Sequence, residues 1–377
     1  MKRLLIEALW NEKWAGGLYY IRNIMFSLSL NEFIKDNYSI TILSYHGNEE
    51  VFDVFDKVKH IYIKPYHKRI DRIVDLIIRL QSGSDIVYPM TEKRRFMDSK
   101  AIAWIPDFQH KHFPEFFNSN ILTYRDEKFK SYLHDRCSVV FSSQDSLKDF
   151  RDFYSESKRE VYVIPFVSYI EPIIRGLSKE KEKKILRKFG VEHVDYTCVM
   201  NQFWQHKNHI VVFKALKEYL TRNANSQFQI IFTGNMEDYR NPDYIKSLKE
   251  IADDPVVTSN IKLLGFISRE EQIALMKNAA FVIQPSLFEG WGTVVEDAKV
   301  LDKTILLSDI PVHREQMNEK CILFDPHDPV ALAELIEQES KKEHHDDVEK
   351  GIADMYKRAK EYSKGFEQLL RDLETKK

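Results

Sequence analysis

Cysteine is scarce in this sequence of 377 residues. The three that occur, Cys137, Cys198 and Cys321, lie far apart, which excludes a CxxC pair for metal or redox chemistry and offers no disulfide framework. This usage is typical of a protein that works in a reducing compartment. We therefore expect a cytoplasmic protein.

Long apolar runs are also missing. The N-terminal stretch MKRLLIEALWNEKW is interrupted by Glu7, Asn11 and Glu12 before it could form the core of a signal peptide. Elsewhere no uninterrupted apolar run approaches the roughly 20 residues that span a bilayer. The sequence predicts no export signal and no membrane-spanning segment, so any membrane contact is expected to be peripheral.

A large net charge of either sign is lacking as well, since the formal net charge is −2. Lysine and arginine number 56 and aspartate and glutamate 58, so no global field favours a nucleic-acid partner. Basic and aromatic residues do cluster locally, at Lys64–Arg72 and Lys93–Met97. Such clusters are usually solvated surface, but they can also dock on an anionic membrane. That interpretation places the protein at the inner face of the membrane.

The sequence is rich in short apolar, β-branched runs separated by longer amphipathic segments. Its length exceeds what one hydrophobic core supports, so two domains are expected. Strands that are apolar almost throughout are typical of parallel sheets covered by helices on both faces, which predicts two doubly wound α/β domains with one sheet each. The predicted strands are Arg3–Leu9, Ser39–Tyr45, Asp85–Met90, Ala101–Asp107, Ser138–Ser143 and Val161–Phe166, followed by Tyr196–Gln202, Phe228–Gly234, Ile261–Phe266, Ala280–Ser286, Thr304–Asp309 and Cys321–Asp325.

Composition also suggests where the domains end. An N-terminal domain covers residues 1–168, and the proline- and charge-rich stretch SYIEPIIRGLSKEKEKK indicates an exposed linker at 169–188. A C-terminal domain follows at 189–355. Residues 356–377 have the apolar spacing of a closing helix that packs back on the N-terminal domain, although Gly365 is expected to weaken or break it.

The strongest functional signal is the stretch Gln284–Lys299, QPSLFEGWGTVVEDAK, which leaves a predicted strand and enters a predicted helix. Open α/β sheets bind ligands at that edge. Gly290 and Gly292 let the backbone approach a ligand, and the helix-start amides of Thr293 and Val294 can donate to phosphate or sugar oxygens. The pattern predicts an anion-binding turn.

Acidic residues stand on both sides of these glycines. Glu289 precedes them, Glu296 and Asp297 follow, and Glu289 and Asp297 are eight positions apart. Carboxylates suit the adjacent hydroxyls of a sugar or ribose because each can accept several hydrogen bonds. Ordinary surface acids, or a carboxylate that complements a helix dipole, are the alternative. The combination with two glycines and a proline-serine lead favours polyol recognition.

A second candidate is Asn201–His209, NQFWQHKNH, which follows the first strand of the C-terminal half. Lys207 can neutralise a diphosphate as a mobile point charge, although an isolated lysine is more often only solvated. His206 and His209 flank it, but their spacing is weak support for a metal. We therefore predict a phosphate contact and no metal site.

These motifs resemble glycosyltransferase family four, whose C-terminal domain carries proline-serine, Glu-Gly-x-Gly and a second acid eight positions after the first. The resemblance implies the GT-B fold, in which two Rossmann-like domains face each other across a cleft. It implies that Glu289 contacts the transferred sugar. It also implies that Asp297, where most members have glutamate, holds the nucleotide ribose, a role that Glu296 can share.

The resemblance extends to four further residues on the donor side and departs at a fifth. Lys207 and Asn208 match the family's Lys-Asn, while Gln202 stands where an arginine is expected. Gly16 and Gly17 match a glycine pair that lies against the donor diphosphate. A plain tight turn is the alternative interpretation of that pair.

The family's histidine-aspartate pair near the sugar corresponds to Ile105–Phe117, IPDFQHKHFPEFF. His110 is the preferred replacement, and His112 stays open as the functional histidine. Asp107 and His110 together can polarise an acceptor hydroxyl. The alternative is a loop in which Asp107 caps a helix and the histidine is structural.

The resemblance implies a retaining hexosyltransferase that moves a hexose or deoxyhexose from a nucleotide diphosphate sugar to a glycan or lipid-linked oligosaccharide, in the biosynthesis of surface polysaccharide such as O-antigen or capsule. No D-x-D pair is placed as metal-dependent glycosyltransferases use it, so neither metal nor another cofactor is expected. A nucleotide-sugar epimerase or phosphorylase of the same fold and a non-catalytic two-lobed sugar-binding protein remain alternatives. A Rossmann oxidoreductase is disfavoured because no G-x-G-x-x-G follows either first strand.

Overall fold

Contacts divide the chain into two units. The first contains Met1–Tyr169 and Tyr356–Lys377, and the second is the continuous stretch Ile170–Met355. The basic cluster Lys93–Met97 and most of the cluster that begins at Lys64 lie outside the described residues. The computed structural model describes residues 1–8, 15–52, 55, 57–64, 85–90, 100–134, 137–154, 160–237 and 241–375.

The first unit is built on parallel strands. These are β1 Lys2–Ala8, β2 Tyr38–Tyr45, β3 Lys59–Ile63, β4 Ile86–Tyr88, β5 Ile102–Trp104, β6 Ser138–Phe141 and β7 Val161–Val163. One sheet has the order β3-β2-β1-β4 and a second the order β5-β6-β7. A single parallel bridge between Val87 and Ala101 joins them. Apolar strand residues such as Leu5 and Val139 are fully buried, so the sheets form the centre of the unit.

Helices follow the strands of the first unit. They are α1 Ala15–Ser29, α2 Glu32–Asn37, α3 Glu49–Phe52, α4 Gln109–His112, α5 Ser119–His134 and α6 Gln144–Phe153, with a 3-10 turn at Pro114–Phe116. Side-chain oxygens of Asn31 and Ser143 cap α2 and α6, as these residue types favour. Because β5 and β6 are parallel neighbours, α4 and α6 begin at the same edge of their sheet.

The second unit contains one described sheet of six parallel strands. These are β8 Tyr196–Met200, β9 Gln229–Thr233, β10 Ile261–Leu263, β11 Val282–Gln284, β12 Ile305–Ser308 and β13 Cys321–Phe324. Their order is β10-β9-β8-β11-β12-β13, which is the order of a doubly wound nucleotide-binding domain. The order reverses between β8 and β11.

Helices connect these strands in succession. They are α7 Glu171–Gly176, α8 Lys179–Lys188, α9 His209–Arg222, α10 Pro242–Ala252, α11 Arg269–Asn278, α12 Thr293–Val300, α13 Pro311–Gln316 and α14 Pro329–Ser340. A last helix, α15 Val348–Thr375, begins in the second unit and ends in the first. Short 3-10 turns occur at Gln205–Lys207 and Thr258–Asn260.

All twelve predicted strands are confirmed, since each overlaps a strand of the structure. Strand β3 was not predicted, because its sequence KHIYI begins with a charged residue and is only half-buried at the sheet edge. The prediction of one sheet for the N-terminal half differs from the structure in extent: the strands form ladders of four and of three, which one bridge between Val87 and Ala101 connects.

Of the stretch expected as a linker at 169–188, residues 170–188 belong to the second unit, and α7 and α8 cover most of them. Ser178 caps α8, and Lys181 and Lys188 form ion pairs with glutamates at the start of α11. The charge-rich composition therefore belongs in large part to the surface helix α8, two of whose lysines pair with α11.

The closing helix is longer than the predicted 356–377, since α15 begins at Val348. It continues through Gly365 without a break. A Cβ at Gly365 would lie 3.4 Å from the Ile164 side chain, so the helix packs closely at this position. Among the described residues, no helix has the length and apolar character needed to cross a bilayer.

Candidate active site

The strand order of the second unit reverses between β8 and β11, which are neighbours in the sheet. Open α/β sheets bind ligands at the carboxyl ends of strands at such a point. The loop after β8 carries Lys207, and the loop after β11 carries Glu289. The fold thus brings the two motifs singled out in the sequence to one place.

Lys207 and Glu289 form an ion pair, with 2.6 Å between Nζ and Oε1. Their side chains are only 15% and 9% exposed, so solvent screens the pair weakly. The same oxygen accepts a hydrogen bond from the Ser286 hydroxyl at 2.7 Å and one from the Gln284 amide at 2.9 Å. Three donors that converge on one oxygen hold the carboxylate in a single orientation.

The second carboxylate oxygen of Glu289 accepts no hydrogen bond from the part of the chain that the structure describes. It is the oxygen that can receive a ligand hydroxyl. Sequence reasoning did not assign Gln284 and Ser286, although both lie in the quoted stretch. The signal that could have found them is their position at the carboxyl end of a strand, because residues there contact the loop that follows.

The loop after β8 is fixed by side chains that sequence reasoning placed near the donor. Asn208 adopts a left-handed conformation with φ 55°, and its amide donates to the carbonyls of Pro285 and Pro326 at 3.1 and 2.8 Å. Gln202 accepts the backbone amide hydrogen of Asn235 at 2.9 Å. Asn208 therefore ties this loop to the loop that carries the glutamate, while Gln202 supports the loop after β9.

The glycine turn leads directly into α12. Gly292 donates its amide hydrogen to Gln316 Oε1 at 2.8 Å, and Gln316 Nε2 donates to the Gly292 carbonyl at 3.1 Å. A Cβ at Gly292 would lie 3.1 Å from Gln316 Oε1, so a larger residue would displace this pairing. Gly290 lies in the same turn, and Thr293 and Val294 open α12, where backbone amides have no partner inside the helix and can bind an anion.

Glu296 and Asp297 are both fully buried. Glu296 accepts hydrogen bonds from Gln316 and Lys299, each at 3.1 Å. Asp297 pairs with Arg269 of α11, with 2.5 Å between Oδ1 and Nη2. A ribose contact through Asp297 must therefore share the carboxylate with Arg269.

Two buried histidines of the second unit stay neutral near pH 7. His313 on α13 places Nδ1 2.9 Å from the carbonyl of Ser308, and burial lowers its pKa to about 4, although Glu289 opposes the shift. His209, at the start of α9, stacks on Phe203 with ring centroids 4.2 Å apart, and burial lowers its pKa to about 3. Neither histidine is a proton carrier at neutral pH.

In the first unit, Asp107 and His110 are each engaged elsewhere. Asp107 Oδ1 accepts hydrogen bonds from the Gln109 amide at 3.0 Å and from Arg125 at 2.7 Å, so the aspartate binds the first backbone amide of α4 and the guanidinium of α5. His110 is buried, with Nε2 3.2 Å from Asp126, and burial lowers its pKa. No hydrogen bond joins Asp107 to His110 among the described side chains.

His112, the other candidate histidine, lies partly in solvent. Its side chain is 39% exposed, and Nε2 is 2.8 Å from Asp149 of α6. The hydrogen bond to Asp149 raises the pKa of His112. The two histidines therefore differ in character: His110 is buried and tends to be neutral, whereas His112 is accessible and more readily protonated.

Gly16 and Gly17 lie in the first turn of α1, which begins at Ala15. Gly16 is exposed and Gly17 buried, and residues 9–14 before them lie outside the described part of the chain. Over the described ranges, no group of three or more His, Cys, Asp or Glu side chains is arranged to hold a metal ion.

Comparison with known families identifies the protein family to which this chain belongs. A model of the family described as glycosyl transferases group 1 matches residues 179–372, just over half of the chain. The chain belongs to the group 1 glycosyltransferases. The matched residues include both loops that meet at Lys207 and Glu289.

Relatives of this group 1 glycosyltransferase are distant in sequence. The O-antigen chain mannosyltransferase RfbU of Salmonella typhimurium is 26% identical over 137 residues, which are 36% of each chain. The match thus spans about a third of the relative's length.

Solved structures are similar over the whole chain. HepE from Anabaena, in complex with UDP and glucose, has a TM-score of 0.67 at 16% identity and covers 100% of both chains. WaaG, a glycosyltransferase involved in lipopolysaccharide biosynthesis, has a TM-score of 0.59 at 12% identity, over 97% of this chain and 95% of WaaG. A glycosyltransferase from Rickettsia africae has a TM-score of 0.66 at 17% identity, over 99% of this chain and 98% of the other. The predicted α/β fold of the GT-B class is confirmed.

Proposed function

We propose that this group 1 glycosyltransferase moves a hexose or deoxyhexose from a nucleotide diphosphate sugar to a glycan or lipid-linked oligosaccharide, with retention of anomeric configuration. The observation that carries the proposal is the Lys207–Glu289 pair at the switch point of the second sheet. It places a cation suited to a diphosphate beside a carboxylate with one oxygen open to a sugar hydroxyl. The amides of Thr293 and Val294 add donors for phosphate.

Positioning and charge stabilisation supply the rate in this scheme. As the diphosphate departs and gains negative charge, the Lys207 ammonium pairs with it more strongly, and the ion pair between Lys207 and Glu289 weakens. Glu289 orients the donor sugar through its open oxygen. Without a protein nucleophile, the leaving group departs and the acceptor arrives on one face of the sugar, which gives retention. Asp107 with His110 or His112 is proposed to act on the sugar and the acceptor hydroxyl.

The relatives support a nucleotide-sugar donor and a surface-polysaccharide product. HepE is in complex with UDP and glucose, RfbU is an O-antigen chain mannosyltransferase, and WaaG is involved in lipopolysaccharide biosynthesis. UDP, GDP and dTDP donors all remain candidates for this chain. A cytoplasmic reaction at the inner face of the membrane is part of the proposal.

The donor site is tested by thermal stabilisation of the purified protein with UDP, GDP, dTDP, ADP and NAD. A ligand that binds the folded state raises its stability by mass action. We expect one nucleoside diphosphate to stabilise the protein and Lys207→Met to reduce the effect. Lys214→Met, which removes an exposed lysine of α9, is the matched control. Stabilisation by NAD alone would contradict the proposal.

Product analysis tests the reaction. With the donor identified, a new glycosidic linkage with the donor's anomeric configuration is expected by NMR. Isomerised nucleotide sugar would indicate an epimerase, and a sugar phosphate formed only with added phosphate would indicate a phosphorylase. Failure to consume any donor would favour a binding protein.

Metal independence and membrane contact are tested separately. We expect full turnover in EDTA, since Lys207 and backbone amides meet the phosphate charge; a complete loss that added metal reverses would contradict this. For the membrane, sedimentation with phosphatidylglycerol vesicles at low salt is expected to exceed that with phosphatidylcholine vesicles. Equal sedimentation with the two kinds of vesicle would contradict the proposed membrane docking.

A further inference from the structure

Helix α13 approaches the candidate site from the strand next to β11. It follows β12, which pairs in parallel with β11, so both strands deliver their following residues to one edge of the sheet. His313 of α13 is fully buried there. No sequence motif had assigned it a role.

Two hydrogen-bonded segments that meet at Ser286 connect His313 to Glu289, one through the backbone carbonyl of Ser286 and one through its hydroxyl. The Nδ1 atom of His313 lies 2.9 Å from the carbonyl and 3.0 Å from the hydroxyl of Ser308. The Ser308 hydroxyl donates to the carbonyl of Ser286 at 2.6 Å. The Ser286 hydroxyl in turn donates to Glu289 Oε1 at 2.7 Å. Three hydrogen bonds, with the covalent structure of Ser286 between the second and the third, thus lead from the imidazole to the carboxylate.

The partners fix the direction of the chain. A carbonyl oxygen only accepts hydrogen bonds, so Nδ1 of His313 carries the proton and donates it to Ser308. The other ring nitrogen, Nε2, is a bare acceptor and has no partner among the described residues. His313 therefore contributes one hydrogen-bond donor, its Nδ1–H group, which points at Ser308.

The same helix holds the far end of the donor loop. Gln316, three residues after His313, pairs with both backbone groups of Gly292 and donates to Glu296. Residues three apart on a helix share a face. One face of α13 therefore supports the loop at its strand end and at its glycine end.

We propose that His313 is a positioning residue for Glu289, acting through Ser308 and Ser286 to keep the open carboxylate oxygen aimed at the donor sugar. This inference rests on the proposed function. Loss of the imidazole N–H frees the Ser308 hydroxyl, so the backbone of Ser286 is held less firmly and its hydroxyl shifts. The Glu289 carboxylate can then rotate about its remaining contacts with Lys207 and Gln284. Diphosphate binding, which depends on Lys207 and the helix amides, is left in place.

The test compares two amide replacements. Asn in place of His313 can put its amide nitrogen near the position of Nδ1, whereas Gln can put an amide group near the position of Nε2. For wild type, His313→Ala, His313→Asn and His313→Gln, calorimetry measures Kd for UDP, UDP-glucose, GDP and GDP-mannose. The quantity compared is the sugar increment, the ratio of Kd for the diphosphate to Kd for its sugar conjugate.

We expect His313→Ala and His313→Gln to reduce the sugar increment about fivefold, the size of one net hydrogen bond, with Kd for the diphosphate within twofold of wild type. His313→Asn is expected to restore most of the increment. Restoration by Gln and not by Asn would overturn the proposal, because it would make Nε2 a direct ligand contact. Equal loss of diphosphate and conjugate binding in all three variants would also overturn it, since that indicates only structural damage.

A double-mutant cycle with Glu289→Ala tests whether His313 acts through the carboxylate. In the Glu289→Ala background, His313→Ala is expected to cause no further loss of the sugar increment. A full additional fivefold loss would refute the link. If wild type binds none of the four ligands and neither dTDP nor a dTDP sugar, the proposed function itself fails. If wild type has a sugar increment that depends on Glu289 but not on His313, only the role of His313 is refuted.

Discussion

Replacing Glu289 by Gln is expected to change two binding constants in opposite directions. The substitution keeps the shape of the side chain and removes its charge. In the structure Lys207 donates to this carboxylate at 2.6 Å, so a diphosphate must compete with Glu289 for the same cation. The Gln variant should bind a nucleoside diphosphate more tightly than wild type. It should bind the corresponding nucleotide sugar more weakly than wild type, because the sugar increment falls.

The magnitude follows from the burial of the pair. With side chains 15% and 9% exposed, the hydrogen bond to a charged group is worth about 1.5 to 3 kcal/mol net. A bound diphosphate displaces only part of the Lys207–Glu289 interaction, so the variant is relieved of about 1 kcal/mol of the free energy that opposes diphosphate binding. That corresponds to about fivefold tighter binding of the diphosphate. Loss of a charged acceptor for sugar hydroxyls should lower the sugar increment by about tenfold or more.

Calorimetry with the diphosphate that stabilises the wild-type protein, and with its sugar conjugate, measures both constants. Lys207→Met is the matched comparison, because it removes the other half of the pair and should weaken both ligands. The reasoning is refuted if Glu289→Gln weakens the diphosphate as Lys207→Met does. In that case the carboxylate would be organising the diphosphate site instead of competing for its cation.

Two glycines of α15 should respond oppositely to alanine. Gly351→Ala places a Cβ 2.3 Å from the backbone oxygen of Val300, and we expect urea unfolding to show a loss of about 2 to 4 kcal/mol of unfolding free energy. The Cβ of Gly365→Ala meets only the Ile164 side chain at 3.4 Å, so the unfolding free energy should rise by up to about 1 kcal/mol through the higher helix propensity of alanine. Similar losses in both would contradict the packing described. Acid should destabilise the protein through its buried neutral histidines: burial depresses the folded-state pKa of His313 to about 4 from 6.5 and that of His209 to about 3, so the unfolded state gains protons first as pH falls below about 6.5. On an order-of-magnitude scale His313 alone removes about 3 kcal/mol by pH 4, although Glu289 and Lys207 act on it with opposite signs. Urea titrations from pH 7 to 4.5 should show a smaller decline in His313→Asn than in wild type; an unchanged decline would refute the assignment.

Most of the fold could be predicted from the sequence because it depends on short strands that are apolar almost throughout. Runs such as Tyr196–Gln202 and Ala280–Ser286 have no alternation, and that pattern is the consequence of a sheet buried on both faces. The edge strand β3, Lys59–Ile63, carries a charge and is only half-buried, so the same criterion missed it. Prediction succeeded where burial dictates composition.

The candidate site was only partly accessible to the same reasoning. The switch-point rule placed Lys207 and Glu289 at sheet edges, but their direct contact depends on loop conformation, such as the left-handed backbone of Asn208. Asp297 fitted a ribose contact by spacing, yet it lies against Arg269, 28 positions earlier in the chain. His313 was invisible because its role depends on pairing between neighbouring strands, which sequence spacing does not encode.

The division of the chain has a consequence for how the protein is made. Residues Ile170–Met355 form one unit without interruption, and a ribosome releases them as a complete folding unit. The first unit also needs the end of α15, where Ala359, Phe366 and Leu369 are fully buried and Asn31 donates to Ser363 and Glu367. The core of the first unit, although most of its chain is synthesised first, can therefore be completed only after α15 has been synthesised.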